Sequence, residues 1–194
     1  MDKLQKQIDF LIEIDKLKSI FRQSLLADGS RHENDAEHSW HLCMYAIVLE
    51  EYAQPGTDML RVLKMMLVHD LVEIYAGDTY LYDEKGNESK ADREQAAADK
   101  LFSTLGEQGS ELRALWEEFE ACESVSSRFA NGFDRMQPVM LNYVTKGKMW
   151  LEHKVHKADV IKRNYRLLDY GHPKLVEFFN KIVEDSVEKG YLLP

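Results

Sequence analysis

Met65-Met66-Leu67-Val68-His69-Asp70-Leu71-Val72-Glu73-Ile74-Tyr75-Ala76-Gly77-Asp78-Thr79 is the stretch on which the reading of this chain turns. Apolar residues recur at helical spacing through Leu60, Leu63, Met66, Leu67 and Leu71, which predicts a helix from about Thr57 to Tyr75, ended by Gly77. Inside that apolar helix stands an adjacent His69-Asp70 pair. A buried charge is costly unless it is paired or holds a metal. The plain alternative is an Asp70 facing solvent and a His69 satisfied within the core. Glu73 weighs against that alternative. It follows Asp70 by three residues and His69 by four, and on a helix of 3.6 residues per turn the three side chains share one side. Asp78 comes just after, in Gly77-Asp78-Thr79.

Working outward, the same periodicity fills most of the chain. Leu4, Ile8, Leu11, Ile12, Ile14 and Leu17 mark a first helix running to about Leu26, and Ala27-Asp28-Gly29-Ser30 reads as a turn. A second helix starts near Asn34 or Asp35, where Asn34 and Glu37 resemble a capping box, and ends before Pro55-Gly56. The segment from Asp78 to Lys90 is polar and reads as a loop. Helices follow at about 90–105, 109–122, 124–145 and 151–168, and a last one from Pro173 to about Glu188. No hairpin pattern stands out. The expectation is an all-α fold of about six to eight helices in one domain over residues 1–194. Its motif-bearing core is about 21–165, with a helical extension at about 170–190.

Composition narrows the function. The 194 residues are 44% hydrophobic, with a net charge of -9 and a pI near 5.3. These totals lack the basic excess of a nucleic-acid polymer binder. The two cysteines, Cys43 and Cys122, are far apart and form no disulfide framework, and Cys43 sits in an apolar run. No stretch is apolar enough to span a membrane, and the first residues have no signal-peptide core. A cytoplasmic protein without a membrane is expected.

Further metal ligands for the His-Asp pair must come from elsewhere. Glu37-His38-Ser39-Trp40-His41 offers His38 and His41 three residues apart. Asp134, in Gly132-Phe133-Asp134-Arg135-Met136, sits on an otherwise apolar helix, where the alternative is a salt bridge to Arg135 or Arg128. Spacing alone does not choose among the acids.

The ordered set of an isolated His, an adjacent His-Asp and a distant Asp resembles the HD superfamily of metal phosphohydrolases. Glu37-His38-Ser39, then His69-Asp70-Leu71-Val72-Glu73 with Gly77-Asp78, is similar to the bacterial 5'-deoxynucleotidases and their eukaryotic HD-domain-containing relatives. The resemblance runs from about Phe21 to Tyr165. It implies His38, His69, Asp70 and Asp134 as ligands of one divalent metal. It implies Glu73 as the catalytic carboxylate, with Asp78 next in line. It places Asp78 and Thr79 near the substrate sugar, and Arg22, at the end of the first helix, on phosphate. The relatives carry an Arg-Trp pair where this chain has Arg22-Gln23.

A mixed nitrogen and oxygen donor set suits Mn, Fe, Co, Ni or Zn better than Ca. The activity implied is hydrolysis of a (deoxy)nucleoside 5'-monophosphate. The alternatives are a nucleoside triphosphate or alarmone on the same metal, and a helical domain that binds metal without catalysis. Lys90 and Arg93 are expected as solvated positions at a helix start. His41 is expected behind the site, and His32 either touches substrate or lies on the surface. Relatives of this kind form homodimers, and Leu175, Phe178, Phe179, Ile182 and Val183 offer a face for one or pack onto their own domain.

Overall fold

The computed structural model describes residues 2–82 and 88–194. Part of the loop expected between Asp78 and Lys90, residues 83–87, lies outside them. The chain opens with α1 (Lys3–Ile14) and a 3-10 helix (Asp15–Ser19), followed by strands β1 (Phe21–Leu25) and β2 (His32–Asn34). Next come α2 (Asp35–Val48), a 3-10 turn (Glu50–Tyr52), α3 (Met59–Val68) and α4 (Glu73–Ala76). After the gap follow α5 (Lys90–Phe102), a 3-10 turn (Ser103–Leu105), α6 (Glu107–Ala121) and α7 (Val125–Val144). The short α8 (Lys148–Glu152), α9 (Lys157–Arg163) and α10 (Tyr165–Tyr170) lead to α11 (Pro173–Glu188). The fold is all-α, with one small hairpin.

Three expectations are corrected. The first helix does not reach Leu26: after the 3-10 turn the chain straightens into β1, which pairs antiparallel with β2 (Phe21 with Asn34, Leu25 with His32). Arg22 therefore projects from a strand. The turn at Asp28-Gly29-Ser30 closes the hairpin, with the Ser30 N–H donating to Asp28 Oδ1 at 2.9 Å and Gly29 at a φ of 69°. Second, the helix expected through Tyr75 stops at Val68. His69 Nδ1 donates to the Met66 carbonyl at 2.9 Å, and the following amides bond three residues back: Leu71 to Val68 (3.1 Å), Glu73 to Asp70 (3.0 Å). A His ring that occupies a backbone acceptor offers the chain an alternative to the regular ladder. Third, the single helix expected over 151–168 is broken into α8, α9 and α10.

The apolar core lies where α2, α3, α6 and α7 meet, around Leu42, Met65, Met66, Phe119, Phe133 and Trp150. Leu175, Phe179, Ile182 and Val183 of α11 join that same core, so this helix packs back onto its own chain. A second cluster under α1 gathers Phe10, Leu17, Val72, Leu101, Phe102 and Trp116. The apolar stripe that announces α1 points outward: Leu4, Ile8, Leu11 and Ile12 are all exposed. Among the described residues no helix is long and apolar enough to cross a membrane.

Candidate active site

Three elements converge on one buried point. Helix α2 supplies His38 from its first turns, fixed by a true capping box. Asn34 Oδ1 accepts from the Glu37 N–H at 3.0 Å and Glu37 Oε2 accepts from the Asn34 N–H at 3.1 Å. Arg31 Nη1 clamps the same Glu37 at 2.8 Å. The tight turn after α3 supplies His69 and Asp70, and α7 supplies Asp134. His38 Nε2 lies 3.1 Å from Asp134 Oδ1, and His69 Nε2 lies 3.7 Å from the same oxygen. Donor atoms of His38, His69 and Asp134 all fall within 4.8 Å of one another. Asp70 Oδ1 is 3.1 Å from His69 Nε2, while its Oδ2 accepts from Arg22 Nη1 at 2.8 Å.

Whether this set fits a metal is decided by His69. Its Nδ1 is committed to a carbonyl, which can only accept, so in the neutral ring Nε2 is a bare lone pair. That atom is buried without a hydrogen-bond partner, yet two carboxylates face it. Two carboxylates facing one buried nitrogen call for positive charge there, supplied by a proton on Nε2 or by a metal cation. Burial opposes a charge on His69, but Asp70 and Asp134 outweigh it and hold the imidazole well above its usual pKa. Burial would likewise raise Asp134, but Arg135 and the two imidazoles keep it well below the carboxylate range. A divalent cation satisfies the same carboxylates without either proton.

Beside this point opens a cavity of about 110 Å³, lined among others by Arg22, Glu73, Asp78, Thr79, Lys90 and Asp134. Glu73 is 3% exposed and its carboxyl is pushed up to about 10, first by burial and then by the charge of Asp70. Its Oε2 has no hydrogen-bond partner among the described residues. Burial also raises Asp78, against the pull of Arg22 at 4.0 Å. Thr79 Oγ1 accepts from Arg93 Nη2 at 2.7 Å. The cavity thus gathers Arg22, His69, Asp70, Glu73, Asp78, Thr79 and Asp134, while His38 is not part of its lining. The solvated positions expected for Lys90 and Arg93 are corrected. Lys90 Nζ turns into the cavity wall, 3.1 Å from Glu94 Oε1 and 3.9 Å from Glu73 Oε1, and Arg93 holds Thr79.

Other participants carry no motif of their own. Asp35 is fully buried, bonds Arg22 at 3.1 Å and is pushed up to about 7 by burial and by Asp70. Glu33 and Gln137, both buried, sit behind His38. Asp35 and Glu33 flank the Asn34 cap, and Gln137 follows Asp134 by three residues on α7, which are the only signals that pointed to them. His32 is not a cavity residue: its Nδ1 meets the Arg22 carbonyl at 2.9 Å within the hairpin. His153, His156 and His172 contact Gln23, the Pro194 carbonyl and the Lys174 amide respectively.

The family model of the HD domain matches residues 14–176. The chain belongs to the HD domain family. Outside the family model, this HD protein is 28% identical over 160 residues to the 5'-deoxynucleotidase HDDC2 of Dictyostelium discoideum, covering 78% of this chain and 84% of that one. It is 28% identical over 135 residues to the human 5'-deoxynucleotidase HDDC2, covering 69% of this chain and 65% of that one. A crystal structure of a predicted metal-dependent phosphohydrolase from Magnetospirillum magnetotacticum MS-1 superposes with a TM-score of 0.94 at 46% identity. That match covers 99% of this chain and 96% of the other.

Proposed function

We propose that this HD protein is a metal-dependent phosphomonoester hydrolase, a 5'-nucleotidase that converts (deoxy)nucleoside 5'-monophosphates to nucleoside and phosphate. The observation that carries the reading is the orphaned His69 Nε2, faced by Asp70 and Asp134, at the floor of a cavity that also holds a protonated Glu73. His38, His69, Asp70 and Asp134 would hold one divalent transition metal, and the two-nitrogen, two-carboxylate set suits Mn, Co, Fe, Ni or Zn. Such a metal supplies Lewis acidity towards the phosphoryl oxygens and towards water.

The rest of the work falls to the chain itself. Arg22 sets a guanidinium at the cavity wall, where it offsets phosphoryl charge. Among the described residues its Nε is buried without a hydrogen-bond partner. Glu73, whose carboxyl is pushed up by burial and by Asp70, would give a proton to the leaving 5'-oxygen and regain one from the attacking water. Asp78 stands as the next acid–base candidate of the cavity and, with Thr79, faces the sugar. The buried walls of Phe119 and Trp150 restrict water. The site lies within one domain spanning the chain. The unpaired Cys43 and Cys122 suit a reduced, cytoplasmic setting. The protein is taken as a homodimer. With α11 buried in its own core, the exposed apolar residues left for that contact include Trp40, Ile47 and Val48 of α2.

A panel of nucleoside mono-, di- and triphosphates assayed with Mn or Co tests the reading. Orthophosphate and nucleoside from monophosphates are expected. Release of pyrophosphate or triphosphate instead would move the substrate to a polyphosphate. Metal binding without any turnover across the panel would reject catalysis.

A further inference from the structure

Behind His38 lies a fully buried polar chain that the chemistry above does not use. Gln137, 0% exposed, places Oε1 3.2 Å from His38 Nδ1. Its Nε2 donates to Glu33 Oε1 at 2.7 Å and lies 3.2 Å from His41 Nδ1. We propose that the Glu33–Gln137 pair is a positioning device that fixes the tautomer of His38, keeping its Nε2 as the metal-binding nitrogen. The inference rests on the metal site proposed above.

The argument runs through donors and acceptors. A carboxylate oxygen only accepts, so the end of the Gln137 amide that meets Glu33 must be its NH2. The second hydrogen of that NH2 meets His41 Nδ1. Burial holds the His41 imidazole below its usual pKa, and in the neutral ring its Nδ1 can accept that hydrogen. The amide is therefore fixed in a single orientation by the Glu33 carboxylate. Its oxygen is forced towards His38, and an amide oxygen can only accept. His38 Nδ1 must then carry a hydrogen, in the neutral ring and in the charged one alike. In the neutral ring Nε2 is left bare, pointing at Asp134 Oδ1, 3.1 Å away. Glu33 Oε2 adds a negative charge 3.6 Å from the same Nδ1, which makes the opposite nitrogen a stronger donor to a cation. On His69 the same task falls to the Met66 carbonyl. The two imidazoles thus use different partners, one a backbone group and one a side-chain relay, to present the same ring nitrogen.

The position of Glu33 explains why an acid is buried at 2% exposure in the middle of β2. Its Oε1 has the Gln137 amide, and its Oε2 has no hydrogen-bond partner. Burying such a charge costs stability. Orienting a metal ligand is a function that offsets that cost. Gln137 and Asp134 lie three residues apart on α7, so one helix supplies both a ligand to the metal and the group that orients a second ligand.

The test uses the full chain with zinc, a diamagnetic probe. Nitrogen-15 spectra of the zinc-loaded protein read the His38 ring directly, and competition against a chromophoric chelator reads zinc affinity. The expected spectrum shows a protonated Nδ1 and a zinc-shifted Nε2. Gln137→Met keeps the length of the side chain and removes the relay, and should weaken zinc binding about 10–100-fold. Glu33→Gln keeps the shape and hydrogen bond but removes the charge that selects the amide orientation, and should lose less. Zinc bound through His38 Nδ1, or a folded Gln137→Met with wild-type affinity, overturns the inference and leaves the metal site standing. Absence of zinc binding by the wild-type protein overturns both. If Gln137→Met does not fold, the wild-type spectrum still decides.

Discussion

Arg22 Nη1 donates to Asp70 Oδ2 at 2.8 Å, while the other oxygen of that carboxylate lies 3.1 Å from His69 Nε2. One carboxylate thus joins the phosphate-binding candidate on β1 to the metal-binding candidate after α3. The same Nη1 reaches Asp35 at 3.1 Å. Arg22 is therefore the cation that lets two acids lie buried side by side.

Its removal should be costly before any substrate is considered. Arg22→Met leaves Asp35 and Asp70 without their guanidinium, and breaking a buried pair from one side costs about 3–5 kcal/mol. Urea unfolding of the metal-free protein reads this loss. A loss below about 1 kcal/mol would mean that the acids neutralise themselves by taking up protons.

The protonated state of Glu73 carries its own signature. The folded pKa near 10 lies above the unfolded 4.5, so the folded chain binds an extra proton between those values. The stability this group allows is full below the lower value and falls as pH rises towards the upper one. Glu73→Gln mimics the protonated form and escapes that fall. In chelator, its stability relative to wild type should be level at low pH and should improve steadily between roughly pH 5 and 9. A difference that stays flat with pH would show that Glu73 titrates normally.

Much of this was legible in the sequence, for identifiable reasons. Asn34 and Glu37 are a local signal, and the capping box they predict forms with both hydrogen bonds. Pro173 opens α11 at the expected residue. His38, His69, Asp70 and Asp134 were read by resemblance; donor atoms of His38, His69 and Asp134 fall within 4.8 Å of one another, and Asp70 lies beside His69 at 3.1 Å. The misses have physical causes. The β1–β2 pair has strands of five and three residues, too short for alternation to register, so Arg22 was assigned to a helix. The break after Val68 comes from a His side chain taking a backbone carbonyl, which no propensity encodes. Lys90 looked like a solvated helix start because its partner Glu73 comes from α4, on the far side of the intervening loop.

Gly147 is a structural check away from the site. Its φ is +68°, and a Cβ there would lie 1.8 Å from the Tyr191 carbonyl oxygen. Both the left-handed backbone and the close approach require glycine. Gly147→Ala should cost about 2 kcal/mol or more and loosen the C-terminal segment, in which Leu192 is buried. Thermal unfolding with amide exchange at Tyr191 and Leu192 measures it. An unchanged Tm would show that the terminal segment moves aside freely.

The last prediction separates holding the metal from using it. Asp70→Ala removes a carboxylate that faces His69 Nε2 and should empty or greatly weaken the site. Glu73→Ala removes no proposed ligand. Its nearest cation is Lys90 Nζ at 3.9 Å, and its place is the cavity wall. The metal should stay, and turnover should fall about a hundredfold or more, the scale of a positioned acid–base group. The two residues flank the same tight turn, with the Glu73 amide donating to the Asp70 carbonyl at 3.0 Å, so a plain folding defect would strike both variants alike. Metal content measured beside the rate therefore tells the cases apart. Loss of metal from Glu73→Ala as complete as from Asp70→Ala would make Glu73 a ligand. Retention of both metal and full rate would move the proton to Asp78, a carboxyl of the cavity that burial also raises.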